Sequence, residues 1–376
     1  MVAGLNLDHR MDLQMEQLHP RDVVTVVAWA EDLELGRIQQ SLHHAAFIVE
    51  VGPQIVRMLV DRQTELLSSA ERDGHGQRTG RHDPIDSLSP AMRLAYLGPV
   101  GTYGEQAAKQ LALLAGLEAT FMPQPGIQAV IRALAEGDCE AAVVPVENSV
   151  EGGVTSCLDA LWMYPDLVIC HGLVLPIRHA LLGSGPLEGI SEVLSHPQAL
   201  AQCPQWLADH LPGALQLPTS STAEAARLVR GSRFRAAIAS LEAAREHGLE
   251  VLAYPINDVV GNCTRFLLLR RQPFAAGHGP HASLAFSLQA NRPGALLEAL
   301  GCFATEGLNM SRIESRPSKR SMGEYIFFVD LDLTQGMPPL ERAMGALTPH
   351  CERLVLLGVY PLTVVNPPEE ISSREN

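Results

Sequence analysis

The stretch Leu94-Ala95-Tyr96-Leu97-Gly98-Pro99-Val100-Gly101-Thr102-Tyr103-Gly104 decides the fold class. Four residues of strand character run into a Gly/Pro turn, and residues 105–116 then carry helical apolar spacing. The unit recurs. Residues 141–146 are a strand that opens into Glu147-Asn148-Ser149-Val150-Glu151-Gly152-Gly153, with a helix near 157–163. Residues 190–194 end in Ser195-His196-Pro197-Gln198, and 215–217 lead to Ser220-Ser221-Thr222. Residues 235–238 end in Ala239-Ser240. Strand–loop–helix alternation predicts α/β units on a largely parallel sheet, and two blocks of it predict two lobes. The polar loops at the strand ends should face the cleft between them.

A second stretch, Gly261-Asn262-Cys263-Thr264-Arg265-Phe266, places a hydroxyl and a guanidinium where a loop enters an apolar strand. Thr264 can donate a proton and Arg265 can hold an anion. The bland alternative is a strand Thr beside an edge Arg. Cys263 next to them reads as a small filler rather than a nucleophile.

Composition narrows the function. The 376 residues exceed one ordinary core, and a net charge of −14 argues against a nucleic-acid partner. Lysine occurs only at positions 109 and 319, so anion sites must use Arg, His, backbone N–H groups or helix N-termini. Seven scattered cysteines without a CxxC pair read as a reduced, cytoplasmic chain with no structural metal. No apolar run reaches membrane-spanning length.

The expected organisation is a helical N-terminal region over 1–72, from helix-like spacing in 23–29, 38–51 and 55–67, and a polar linker over 73–92. The two-lobed domain covers 93–272. A second linker covers 273–281, a compact βαββαβ domain 282–362, and a flexible tail 363–376.

The motifs in this order resemble a known family. Residues 95–103, Pro145-Val146-Glu147-Asn148-Ser149, Ser195-His196-Pro197-Gln198-Ala199, Ser220-Ser221-Thr222-Ala223, 236–240 and 262–266 resemble the prephenate dehydratase catalytic domain. Asn291-Arg292-Pro293-Gly294-Ala295-Leu296 and Ile313-Glu314-Ser315-Arg316-Pro317 resemble its regulatory ACT domain. The resemblance implies a type II periplasmic-binding-protein-like architecture and a ferredoxin-like ACT domain. It also implies conversion of prephenate to phenylpyruvate, water and CO₂ without a cofactor, with Thr264 as proton donor and Arg265 supporting it. Thr102, Glu147, Asn148, Ser149, Ser195, His196, Gln198, Ser220, Ser221, Thr222, Ser240 and Phe266 are the substrate-site candidates. Phenylalanine binding is expected between paired ACT domains, at Asn291, Pro293, Gly294, Ala295, Leu296, Asn309, Glu314, Ser315 and Arg316, in a homodimer or homotetramer.

One position departs from the family pattern: Gly104 stands where Ser or Thr is usual, which keeps arogenate open as a substrate. A non-aromatising prephenate decarboxylase and a catalytically silent ligand-binding regulator stay open beside it. The N-terminal region has no lysine, and its arginines do not fall in a chorismate mutase pattern.

Overall fold

The computed structural model describes residues 24–28, 47–51, 91–271, 279–334 and 336–365. The first two segments lie in a unit of their own, residues 1–87. They form an antiparallel pair, β1 (Val24–Ala28) and β2 (Phe47–Val51), with Val24 opposite Val51. This corrects the helical reading at those positions. VTVVA and FIVEV are rich in β-branched residues whose stiff χ1 suits an extended chain, and runs so short do not define a period. The rest of 1–72 and residues 73–90 lie outside the described residues.

In the second unit, lobe one is a sheet in the order β4-β3-β5-β13-β7. Its strands are β3 (Met92–Leu97), β4 (Ala119–Gln124), β5 (Ala141–Asn148), β7 (Leu167–Pro176) and β13 (Cys263–Arg271), with the short β6 (Gly152–Gly153) beside β5. Helices α1 (Tyr103–Leu114), α2 (Ile127–Glu136) and α3 (Thr155–Met163) cover it. Lobe two has the order β10-β9-β11-β8-β12. It comprises β8 (Ala180–Gly183), β9 (Glu192–Ser195), β10 (Leu215–Pro218), β11 (Arg235–Ala239) and β12 (Glu250–Ala253). Its helices are α4 (Pro197–Ala201), α5 (Pro204–His210), α6 (Thr222–Val229) and α7 (Leu241–His247).

The chain crosses between lobes twice, through residues 177–179 and 254–262. The crossings are bonded to each other. Ile177 N–H donates to Asn262 O at 2.8 Å and Ile256 N–H to His179 O at 2.9 Å. The returning strand β13 lies centrally between β5 and β7, and its buried Phe266-Leu267-Leu268-Leu269 run suits a strand covered on both faces.

The C-terminal domain is βαββαβ: β14 (His281–Leu288), α8 (Ala295–Thr305), β15 (Asn309–Pro317), β16 (Tyr325–Asp332), α9 (Met337–Leu347) and β17 (Cys351–Tyr360), in the order β15-β16-β14-β17. Alternation along β16 explains its two faces. Phe327, Val329 and Leu331 pack under α8 and α9. Ile326 and Phe328, with Tyr360, share a core with Leu158, Leu161 and Ile169 of lobe one. The domain therefore shares a core with lobe one. Its chain then returns to lobe one as β18 (Leu362–Val364), parallel to β7 with Leu362 opposite Gly172. Residues 363–364 are thus strand and not flexible tail, because β7 offered an unpaired edge, and Val365 N–H adds a bond to Val174 O at 2.9 Å.

Candidate active site

Between the lobes lies a cleft of about 570 Å³, within the usual range of a small-molecule site. Thr264, Asn148 and Phe266 of lobe one line it, with Thr102, His196, Gln198, Ser220, Ser221 and Thr222. These are sequence candidates that the fold brings together. Among the described residues, no Lys or Arg lines the cleft, and Glu151 is its one acid. What faces it instead are helix beginnings. Thr102 caps α1, Val154 precedes α3, His196 caps α4 and Ser221 caps α6, and all four line the cleft. Thr102 Oγ1 accepts from Glu105 N–H at 3.3 Å and Ser221 Oγ from Glu224 N–H at 3.0 Å. The free N–H groups and positive dipole ends of these helices favour an anion without a cation.

Thr264 is nearly buried, 9% exposed. It sits opposite Asn148 in the β13–β5 ladder, and Asn148 Nδ2 donates to its Oγ1 at 2.9 Å. The orientation of this amide is fixed, because its Oδ1 accepts from Val150 N–H and Glu151 N–H at 2.9 and 3.0 Å. With its oxygen already accepting, the Thr264 hydroxyl keeps its own proton for the cleft. A register shift between Arg265 and Phe266 lets Pro145 and Asn148 both face the cleft.

Several candidates lie elsewhere. Arg265 points away from the cleft, as the period of a strand requires of Thr264's neighbour. Its guanidinium reaches Asp330 of β16 at 2.5 Å and Glu147 at 3.1 Å. Burial, the largest single influence, lowers its pKa, but the charges of Asp330, Tyr360 and Glu147 and the hydrogen bond to Asp330 together outweigh that and raise it. Glu147 faces the same way and also approaches Arg312 at 3.5 Å. Both therefore join lobe one to the C-terminal domain and do not line the cleft. Ser149 accepts from Cys263 N–H at 3.0 Å. Ser195 is fully buried and donates to Ile238 O at 2.6 Å. Ser240 caps α7 and donates to Gly101 O at 2.7 Å, tying lobe two to lobe one. Cys263 does not line the cleft either. Gly104 faces a backbone wall, since a Cβ there would lie 2.5 Å from Leu97 O. Serine or threonine would not fit this backbone without a shift.

In the C-terminal domain, Asn291 Nδ2 donates to Gly323 O at 3.0 Å, Gly294 caps α8 at φ +84, and Ala295 and Leu296 open that helix beside Pro293. Asn309 donates to Asp332 at the other end of the sheet, so one chain does not bring it to that turn. Ser315 is exposed. Glu314 and Arg316 face lobe one. Glu314 pairs with Arg312 and presses on Gly153 of the cleft loop, and Arg316 bonds Asp159 of α3 at 3.2 Å. In the single chain both side chains make contacts between domains.

Sequence reasoning missed Gln202, His179 and Asn262. Gln202 and His179 line the cleft, and Asn262 lies behind it, 4% exposed. Gln202 follows Gln198 by one helical turn, a usable signal. His179 and Asn262 lie in the crossings, which carry no periodicity.

A family model described as prephenate dehydratase matches residues 94–274. A prephenate dehydratase of Amycolatopsis methanolica is 39% identical over 270 residues, covering 71% of this chain and 88% of the relative. The crystal structure of a prephenate dehydratase from Arthrobacter aurescens in complex with L-Phe is 36% identical, with TM-score 0.65, covering 72% of this chain and 90% of that one. A protein described as GqqA, a quorum quenching acylase, is 32% identical with TM-score 0.63, covering 72% and 98%.

Proposed function

Since the chain belongs to the prephenate dehydratase family and converts prephenate to phenylpyruvate, water and CO₂, we propose that the interlobe cleft is where it does so, with Thr264 as the proton donor. The observation that carries this is the Asn148 amide on Thr264 Oγ1, which leaves the hydroxyl proton directed to a partner in the cleft. As the ring carboxylate leaves as CO₂, its bonding electron pair aromatises the ring. The ring C–O bond breaks and the departing oxygen takes up a proton to leave as water. Thr264 supplies the hydrogen bond to that oxygen. Hydroxide is otherwise a poor leaving group. The substrate's two carboxylates are held by helix N-termini and neutral donors, in keeping with a cleft without Lys or Arg among the described residues.

The type II periplasmic-binding-protein class is supported by strand order. In each lobe the third strand is separated from the fourth by the strand that has just crossed: β13 in lobe one, β8 in lobe two. We assign the C-terminal domain as an ACT domain that binds phenylalanine once paired with a second copy. The effector would sit by the Asn291 to Leu296 turn and meet Asn309 only across the pair. The exposed edge strand β15, with Ile313, and the neighbouring Met322 and Tyr325 suit such pairing. The assembly is placed in the cytoplasm, as its free cysteines favour.

An acylase would need a nucleophile activated by a base. Among the described residues no serine or threonine hydroxyl of the cleft is hydrogen-bonded to a histidine or carboxylate, and Tyr103 OH, which meets His179 Nδ1 at 3.1 Å, donates to Arg178 O at 2.7 Å, so this reading is disfavoured.

The test is turnover of purified protein on prephenate, following phenylpyruvate by ultraviolet absorbance with and without phenylalanine, beside light scattering. Phenylpyruvate production that phenylalanine suppresses in a dimer or tetramer supports the reading. Turnover of arogenate alone, or a non-aromatic product, overturns the assignment of substrate or step.

A further inference from the structure

We propose that a second ligand site lies at the hinge, outside the cleft, and takes a small apolar monocarboxylate held by Arg178.

The site is a cavity of about 190 Å³, and Tyr103 is a wall common to it and the cleft. Three parts of the chain meet there. Lobe one contributes Gln106 of α1 and Leu175 of β7, lobe two contributes Leu241 and Arg245 of α7, and the two crossings contribute Arg178 and Tyr254. The volume is below the roughly 300–1,000 Å³ of a drug-sized pocket, so it suits one ring or a short branched chain with a single head group.

Unpaired donors define that head group. Arg178 is half-buried, and its guanidinium has no hydrogen bond or ion pair among the described residues. Its backbone oxygen accepts from Tyr103 OH at 2.7 Å. The Gln106 amide, also half-buried, has no partner among the described residues either. Arg245 is bonded to Glu242 at 3.1 Å, which leaves Arg178 as the lining charge without a counter-ion. The cavity thus carries a surplus of one positive charge, where the cleft has no Lys or Arg. One carboxylate balances it, and the planar guanidinium fork matches a carboxylate with two parallel hydrogen bonds. A dianion would overshoot the charge, and an uncharged ligand would leave Arg178 unpaired. Leu175, Leu241 and Val365 line the remainder and accept an apolar body.

Both lobes and both crossings form the walls, so the cavity's shape depends on the separation of the lobes. An occupant favours one separation and thereby acts on the cleft through the hinge.

The test titrates the full chain with 3-phenylpropionate by calorimetry, beside the uncharged 3-phenylpropionamide. The acid should bind saturably and the amide about tenfold more weakly or worse, a comparison that needs no variant. Arg178→Gln should weaken the acid by a similar factor. Gln198→Glu, which adds a negative charge to the cleft and would repel a probe bound there, should change it by less than about threefold. The acid should also shift KM for prephenate by at least about twofold in wild type and not in Arg178→Gln. No saturable binding, equal binding of acid and amide, loss in Gln198→Glu in place of Arg178→Gln, or a wild-type KM unmoved by the acid overturns the proposal. A wild type that makes no phenylpyruvate would overturn the cleft reading and leave the three binding comparisons to decide this site.

Discussion

Replacing Asp330 by Ala should cost stability while leaving the chemistry nearly untouched. Asp330 is 6% exposed and accepts from Arg265 and from Ser283 Oγ, each at 2.5 Å. Arg312 stands 3.7 Å away. Removing one partner of a buried ion pair typically costs about 3–5 kcal/mol, because the other charge is left without its counter-ion. The lower end applies here. Arg265 keeps Glu147 at 3.1 Å, and two guanidiniums, Arg265 and Arg312, face three carboxylates, Glu147, Glu314 and Asp330, so the variant cluster is balanced. The expected loss is about 3 kcal/mol, which for a unit of this size lowers Tm by roughly 6–12 °C. Thr264 faces the cleft, on the other side of β13, so kcat on prephenate at low temperature should stay within about fivefold. Thermal unfolding by circular dichroism and initial rates of phenylpyruvate formation check both parts. An unchanged Tm with a kcat lowered about 100-fold would refute the reasoning, and would return Arg265 to the chemistry.

Two further outcomes follow from the same geometry. An added Cβ at Gly153 would overlap the Glu314 carboxylate, so Gly153→Ala should push the cleft loop off β15 and raise KM, and adding Glu314→Ala should restore it; initial rates on the double variant that stay as poor as on the single one would break this link. Burial holds His171, His179 and His196 below their ordinary pKa. Below about pH 6.5 the unfolded chain then binds more protons than the folded one, and stability falls as pH drops. A Tm that is flat from about pH 7.5 to pH 5.5 contradicts that.

Much of the architecture was legible because it rests on local signals. Turn chemistry after Leu97 and Asn148, and caps at Ser221 and Ser240, mark strand ends and helix starts. The cleft face was only half legible. Thr264 and Arg265, Asn148 and Glu147, and His196 and Ser195 are neighbours in sequence, and in each pair one member faces the cleft and the other does not. The period of an extended chain separates such neighbours, and motif reading treats them together. The contact of β15 with lobe one was not legible, because Arg316 meets Asp159 across 157 positions of sequence. Nor were the strands at 24–28 and 47–51, where short apolar runs fit either period.

The most direct measurement is kcat on prephenate for Thr264→Val beside Thr264→Ser, each shown to be folded. Valine keeps the shape and removes the hydroxyl, while serine keeps the hydroxyl. Valine should lose about 10²–10⁴ in kcat, and serine only a little. A valine variant turning over within about threefold of wild type would contradict the assignment of Thr264 as the proton donor.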